Sequence, residues 1–258
     1  MGGLGFGRRG TVVVAVLAAV LGPLAGCATP AGEPAPDEPK ADPGAPVEHQ
    51  LLWPFTTIEA AEEWQASEAG GSAAWHVDAV ETALAFTTGY LGLTEVDQVV
   101  DAAVEPASAE VTIGYRGESD RPAAAGVLRL VRLGTGQDAP WEVIGTKDDS
   151  LTITEPGYGA TVSTPLRVGG RISGVDESIR VRVHAPAQEV PVGEACCVAA
   201  GGEDRPWSTT VSLTLPSTEP STEPRSGSTA ETLTVVATTG GHIADVERFA
   251  VTGVRLAG

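Results

Sequence analysis

Two adjacent cysteines, Cys196 and Cys197, are the side chains with the clearest capacity for redox chemistry. Outside the cytoplasm such thiols can persist as a disulfide. A bridge between chain neighbours closes a very small ring, which is strained and gains little loop entropy. A thiol paired with the imidazole of His184 could act as a nucleophile, but no third residue that would orient the imidazole is identifiable. We predict a modestly structural pair, oxidised or reduced, rather than a redox site.

The histidines and acidic residues do not form a recognisable metal or catalytic motif. His76 and Asp78 could supply two metal ligands, but Asp78 also stands where a helix N-cap is expected. The doublet Asp148-Asp149 could hold calcium at a hinge, although such doublets are typical of solvated linkers. The sequence contains no HExxH, Cys-x-x-Cys or Gly-x-Ser-x-Gly pattern. We predict no metal ion, no cofactor and no catalytic residue.

Three tryptophans, Trp53, Trp64 and Trp75, lie close together in a chain that has few aromatic residues. They could form an aromatic surface for a glycan or a peptide. Large aromatic side chains more often anchor a core, and we favour that interpretation. The aromatic ligand surface is kept as the alternative.

The N-terminus has the pattern of an export signal. Arg8 and Arg9 precede the apolar run Thr11–Leu21, which is too short to span a bilayer comfortably, and small residues lead to Cys27. Leu24-Ala25-Gly26-Cys27 resembles the lipobox of bacterial lipoproteins. The resemblance implies cleavage between Gly26 and Cys27, a diacylglycerol on the Cys27 thiol, and attachment to the outer face of the cell membrane. The alternative is an ordinary secretory signal, and Sec or twin-arginine export stays open.

The segment after the cysteine predicts a spacer, and the overall charge limits what the protein can bind. Residues 27–50 contain recurrent proline among Ala, Gly, Glu and Asp, which favours a disordered polyproline-II tether. The formal net charge is −18, which excludes wrapping of nucleic acid. Lysine is rare, whereas Arg, Ala, Gly and Val are abundant, as in GC-rich actinobacterial genomes.

Residues 51–149 read as an α+β domain. Thr56-x-x-Glu59 resembles a capping box and predicts a helix to about Glu68. A second helix is predicted from Asp78 to about Leu91, and a third, short helix over Glu95–Ala102. Period-two alternation then predicts strands, which we list: Glu110–Tyr115, Gly126–Leu133 and Trp141–Gly145. Helices followed by consecutive strands indicate an antiparallel sheet.

Residues 150–258 read as an all-β immunoglobulin-like sandwich. About seven short strands with intervening turn signals are typical of that architecture. The candidate strands are Leu151–Thr154, Leu166–Ser173, Ile179–Ala185, Ala195–Ala199, Ser208–Leu215, Thr232–Ala237 and Arg248–Leu256. The duplicated Ser-Thr-Glu-Pro tetrapeptide over 217–224 predicts a long exposed loop.

This β region resembles the immunoglobulin-like domain named for bacterial spore germination proteins. The resemblance lies in Ile153-x-x-Pro156, in 162–170 (VSTPLRVGG), in Pro206-Trp207 and in the closing Asp245-x-x-x-Phe249-x-Val251. It implies a non-catalytic module of the cell envelope. At Gly174-Val175-Asp176-Glu177 the chain departs from the family, which commonly has an aromatic-Glu pair there.

These observations favour a membrane-anchored, extracytoplasmic lipoprotein that binds or scaffolds rather than catalyses. The expected partners are the membrane, through the lipid, and an envelope protein or glycan. The alternative is an envelope enzyme or small-ligand binder with its site in residues 51–149, around Trp75, His76 and Asp78.

Overall fold

Two β-sheets and two α-helices make up most of the residues that the structure describes. The computed structural model describes residues 49–68, 74–147, 150–186, 188–214 and 231–257. The export signal, Gly26, Cys27 and nearly all of the predicted tether lie outside the described residues, as do Asp148, Asp149 and the tetrapeptide repeat. The described residues belong to one compact unit, Val47–Gly258.

The helices begin where side-chain oxygens can accept from free backbone N–H groups. Helix α1 spans Ile58–Glu68. It is capped by Thr57, whose Oγ1 accepts from the Ala60 N–H, so the expected cap at Thr56 is wrong by one residue. Helix α2 spans Ala79–Ala85, and Asp78 Oδ1 accepts from the two N–H groups at positions 80 and 81, as predicted. A π-helical turn, Phe86–Tyr90, continues α2.

The first sheet is a four-stranded antiparallel meander in the order β1-β2-β3-β4. Its strands are β1 Gln98–Val104, β2 Ser108–Arg116, β3 Pro122–Arg132 and β4 Trp141–Thr146. The three predicted strands are confirmed as β2, β3 and β4. The predicted helix over Glu95–Ala102 is wrong, because its second half pairs with β2 as an edge strand.

The second sheet has the order β5-β7-β9-β10-β6, with β8 paired to β7. Its strands are β5 Leu151–Glu155, β6 Thr161–Val162, β7 Leu166–His184, β8 Gly193–Val211, β9 Thr232–Thr239 and β10 Arg248–Leu256. The expectation of four separate strands between 166 and 215 is wrong. They are two long strands, because pairing between β7 and β8 continues through the register shifts near Gly174.

Two groups of buried apolar side chains fill the molecule. The first core lies between α2 and the first sheet and also includes Val236, Phe249 and Val251 of β9 and β10. The other is formed by residues of β5 and β7–β10 together with adjoining loops. The predicted fold class is confirmed only in part: the described residues form two sheets with few helices, which is compatible with a β-sandwich. The domain division at 149 and 150 stays a prediction. None of the helices in the described residues has the length and apolar character to span a bilayer.

Candidate functional site

The segment before α1 carries Trp53 to the edge of the first sheet. The Leu52 N–H donates to the Val143 carbonyl at 3.1 Å, and the Val143 N–H donates to the Trp53 carbonyl at 2.9 Å. These bonds hold residues 52–53 beside β4 through an isolated antiparallel β-bridge between Trp53 and Val143. The position of the Trp53 indole is therefore set by backbone pairing.

Three aromatic rings meet at this edge. The Trp53 and Trp75 ring centroids are 5.0 Å apart with 14° between the ring planes. The Tyr90 ring, at the end of the π-helical turn, lies 6.1 Å from Trp53 at 24°. We call Trp53, Trp75 and Tyr90 the aromatic row. Each of its side chains is only partly buried.

An open groove of about 810 Å³ runs along the aromatic row. Its other lining residues come from the end of α2 with the turn that follows, and from the loop after β7. They are Ala85, Thr88, Gly89, Pro186, Gln188 and Glu189. The groove therefore brings together residues that are far apart in the sequence. Trp53 and Glu189, for example, are more than 130 positions apart.

The predicted tryptophan surface is only partly assembled. Trp53 and Trp75 line the groove, whereas Trp64 on α1 does not. Its ring lies 6.0 Å from Phe55 and 4.6 Å from His76, so it packs in a neighbouring aromatic cluster. Of the two interpretations of the tryptophans, core anchor or ligand surface, Trp64 fits the first. Trp53 packs against the first core and is also exposed to the groove.

The candidate metal or catalytic pair does not converge on a common target. His76 is buried, with its ring stacked on Trp75 at 3.6 Å between centroids. Asp78 uses Oδ1 to cap α2. Among the described residues no three His, Cys, Asp or Glu side chains come together as metal ligands could.

The adjacent cysteines lie in β8, far along the chain from the aromatic row. The structure joins Cys196 and Cys197 as a disulfide. Both residues are exposed, and they do not line the groove. His184, the imidazole that could have paired with a thiol, instead lies with its ring 5.4 Å from that of Tyr90.

Tyr90 connects the aromatic row to buried polar groups beneath it. Its hydroxyl donates to Thr234 Oγ1 at 3.3 Å. Burial raises the pKa of Tyr90 to about 12, so its hydroxyl stays neutral. His184 is 3% exposed, and neither of its ring nitrogens has a hydrogen-bond partner among the described residues. Burial lowers the pKa of His184 to about 4, which keeps the imidazole neutral at pH 7.

Glu142 is the one fully buried carboxyl group among the described residues. It lies on β4, and its Oε2 accepts from the Phe55 N–H at 2.9 Å. Burial raises the pKa of Glu142 well above its ordinary value, although the bond from Phe55 opposes that shift. The carboxyl thus fixes the segment that carries Trp53.

A second cavity, of about 460 Å³, lies beside Arg180 and Arg182. Its two arginines are already paired within the protein. Arg180 and Arg182 both pair with Glu194, the latter through Nε at 3.1 Å, and Glu95 and Asp245 also line the cavity. The cavity therefore offers no unpaired arginine to an anionic ligand.

Sequence reasoning missed the groove residues outside the tryptophans. Tyr90 lies within the helix predicted from Asp78 to about Leu91, and no local sequence pattern indicates that Gln188 and Glu189 line the same groove. A buried Glu142 could have been suspected, because an acidic residue stands between the apolar Trp141 and Val143 in a strand. Comparison with protein-family models, with curated proteins and with solved structures found no match to this chain.

Proposed function

We propose that this protein is a lipid-anchored, non-catalytic binding module on the extracytoplasmic side of the cell membrane. The anchor is a diacylglycerol on Cys27, which the sequence Leu24-Ala25-Gly26-Cys27 supports. Two acyl chains give stable attachment, whereas one gives only marginal attachment. The tether predicted over 27–50 is wrong at its end, because Gln50 is buried and its N–H donates to the Tyr158 hydroxyl at 2.7 Å. The residues before Gln50 would then hold the folded part away from the membrane surface.

The groove along the aromatic row is the observation that carries the binding function. Concave sites lined by aromatic side chains with a few polar groups are the usual form of a ligand site. Here partly exposed Trp53, Trp75 and Tyr90 form one wall, while Thr88, Gln188 and Glu189 provide polar groups.

The contacts of His76 and Asp78 favour binding over catalysis. A general base needs a side chain that can reach the substrate. Asp78 is occupied by the N-terminus of α2, and His76 is buried among Trp64, Trp75 and Phe55. These two side chains support the structure of the groove instead of reaching into it.

We further propose that residues 150–258 form an immunoglobulin-like sandwich of the spore-germination type and that residues 51–149 form an α+β module. The separate core of β5 and β7–β10 supports the first assignment. The packing of α2 on the meander β1–β4 supports the second. The groove would then lie where the two modules meet.

Photo-crosslinking in membranes tests the binding function. A photoreactive residue is placed at Thr88, inside the groove, in the full-length chain in its native membranes. We expect an adduct of added mass that disappears when Trp75→Leu is introduced. Glu105, an exposed residue in the β1–β2 turn, is the matched position outside the groove. Equal adduct yields at Thr88 and Glu105 would contradict the proposal.

A further inference from the structure

One edge of the first sheet has no partner strand among the described residues. Strand β1, Gln98–Val104, pairs with β2 on one side, and no described strand lies on its other side. We call that other side the outer edge. The backbone hydrogen bonds found elsewhere in the described chain do not reach it. An edge strand with unpaired N–H and C=O groups is a template to which another strand can add.

The pairing with β2 shows which backbone groups of β1 point outward. The Glu105 N–H donates inward, to the Ser108 carbonyl at 2.8 Å. Pairing is regular from Asp101 to Val104, and in such an antiparallel pair alternate residues bond to the partner strand. The N–H and C=O groups of Ala102 and Val104 therefore point to the outer edge. Because Glu105 bonds inward, the outer edge ends at Val104.

The two faces of β1 differ in chemical character. Val104 is paired with Ala109, which is buried in the first core. Val104 thus lies on the apolar face of the sheet, and yet it is 51% exposed. Asp101 points to the opposite face, because side chains alternate along a strand. An added strand would therefore place its side chains alternately beside an apolar residue and beside a carboxylate.

The charges along β1 are all negative. From Glu95 to Glu105 the chain has four acidic residues and no lysine or arginine. Neither Asp97 nor Asp101 takes part in the ion pairs of the described residues. Opposite charges on neighbouring strands stabilise a sheet, whereas like charges destabilise it. The outer edge therefore favours a basic strand over an acidic one, and over a second copy of the same edge.

We propose that the outer edge binds an extended segment of another protein in which apolar and basic residues alternate. The segment would add a strand to the four-stranded sheet through the outward N–H and C=O groups of Ala102 and Val104. Its apolar residues would cover Val104, and a lysine or arginine would lie beside Asp101. This surface is separate from the groove, because no residue of β1 lines the groove.

Three short peptides test the charge and the backbone pairing. One alternates valine with lysine, and the second has glutamate in place of lysine. The third is the lysine peptide with its central backbone nitrogens methylated, so that it keeps its charge but cannot pair as a strand. Fluorescence anisotropy with the full-length protein in a polyoxyethylene detergent gives the three dissociation constants. We expect the lysine peptide to bind roughly tenfold more tightly than the other two.

Amide hydrogen exchange locates the added strand. The N–H groups of Ala102 and Val104 point outward, so they should exchange rapidly in the free protein. Saturation with the lysine peptide should slow both by roughly tenfold, because they then donate to the peptide. The Ala103 N–H points inward to β2 and is the internal control, whose exchange should change little.

Variants of β1 test the same edge. Ala102→Pro removes an outward N–H, and proline is tolerated at edge positions whose N–H faces solvent. With unchanged thermal unfolding, it should weaken binding of the lysine peptide roughly tenfold. The matched control Ala102→Val keeps the N–H and should bind at least as well as the wild type. Asp101→Asn should reduce the preference for lysine over glutamate several-fold.

The other outcomes overturn the proposal. Equal binding of the lysine peptide and its methylated form would show attraction by net charge alone. Unchanged exchange at Ala102 and Val104 would place the peptide elsewhere, as would binding that survives Ala102→Pro in a folded variant. Self-association that Ala102→Pro abolishes would assign the edge to a second copy. The methylated peptide and the exchange rates decide the matter even if Ala102→Pro does not fold, and the Thr88 crosslinking test of the groove is independent of all these results.

Discussion

At the scale of single residues, the hydrogen bond between Phe55 and Glu142 fixes the position of the segment that carries Trp53. A buried carboxyl group costs free energy unless it is hydrogen-bonded or neutral. Glu142 accepts a hydrogen bond from the Phe55 N–H and has its pKa raised by burial, so both means of compensation are present. The result is a fixed path for Trp53 and Phe55, which face different aromatic neighbours.

The raised pKa of Glu142 predicts that this residue makes the protein less stable as the pH rises. Above the ordinary pKa of 4.5 the unfolded chain loses this proton while the folded chain keeps it. The free energy of unfolding then falls by up to about 1.4 kcal/mol per pH unit until the pH reaches the raised pKa. Glu142→Gln keeps an oxygen for the Phe55 N–H but removes the titration. We expect its stability, relative to the wild type, to increase with pH above 4.5 in urea unfolding curves.

The matched control is Glu105→Gln, whose side chain is exposed. Its stability relative to the wild type should change little across the same range. His184 acts in the opposite direction, since burial lowers its pKa to about 4, but it is present in every variant and cancels in the differences. Parallel pH curves for the wild type and Glu142→Gln would contradict the assignment.

At the scale of elements, β3 and β10 approach each other at Gly126. A Cβ atom built there would lie 2.9 Å from the Phe249 carbonyl oxygen and from Cε1 of its ring. Phe249 is 1% exposed and belongs to the first core. Only glycine lets the first sheet pack this closely against β10.

Gly126→Ala should therefore destabilise the protein by about 1–3 kcal/mol, as overpacking of a well-packed contact does. Gly157→Ala is the control, because a Cβ atom at Gly157 meets nothing within 4 Å. Urea unfolding of the two variants measures the difference. Equal stability of Gly126→Ala and Gly157→Ala would show that β3 and β10 are not in close contact.

Some elements could be predicted from the sequence, and others could not. Strands β2, β3 and β4 could be predicted from the alternation of apolar and polar residues. The start of α2 could be predicted because Asp78 is a favourable N-cap. The edge strand β1 was mistaken for a helix because Gln98–Val104 has no strong local pattern and is specified by pairing with β2. The groove could not be predicted as a whole, because the loop with Glu189 meets Trp53 only through tertiary packing.

At the scale of the whole molecule, the described unit would be held to the membrane by one modified residue. The groove lies on that unit, whereas Cys27 is located by the sequence alone. A binding module of the envelope needs both, because an unanchored chain would diffuse away from membrane-associated ligands. Anchoring at Cys27 is therefore the central claim.

The most direct measurement is metabolic labelling with an alkyne-bearing fatty acid, followed by membrane fractionation and intact-mass analysis. The wild-type chain should carry the label, sediment with membranes and begin at a diacylglyceryl-modified Cys27. Cys27→Ser should lose the label and the membrane association. The double variant Cys196→Ser/Cys197→Ser should be labelled like the wild type. Cys27→Ser protein that stays in membranes, together with an unlabelled wild type, would contradict the account.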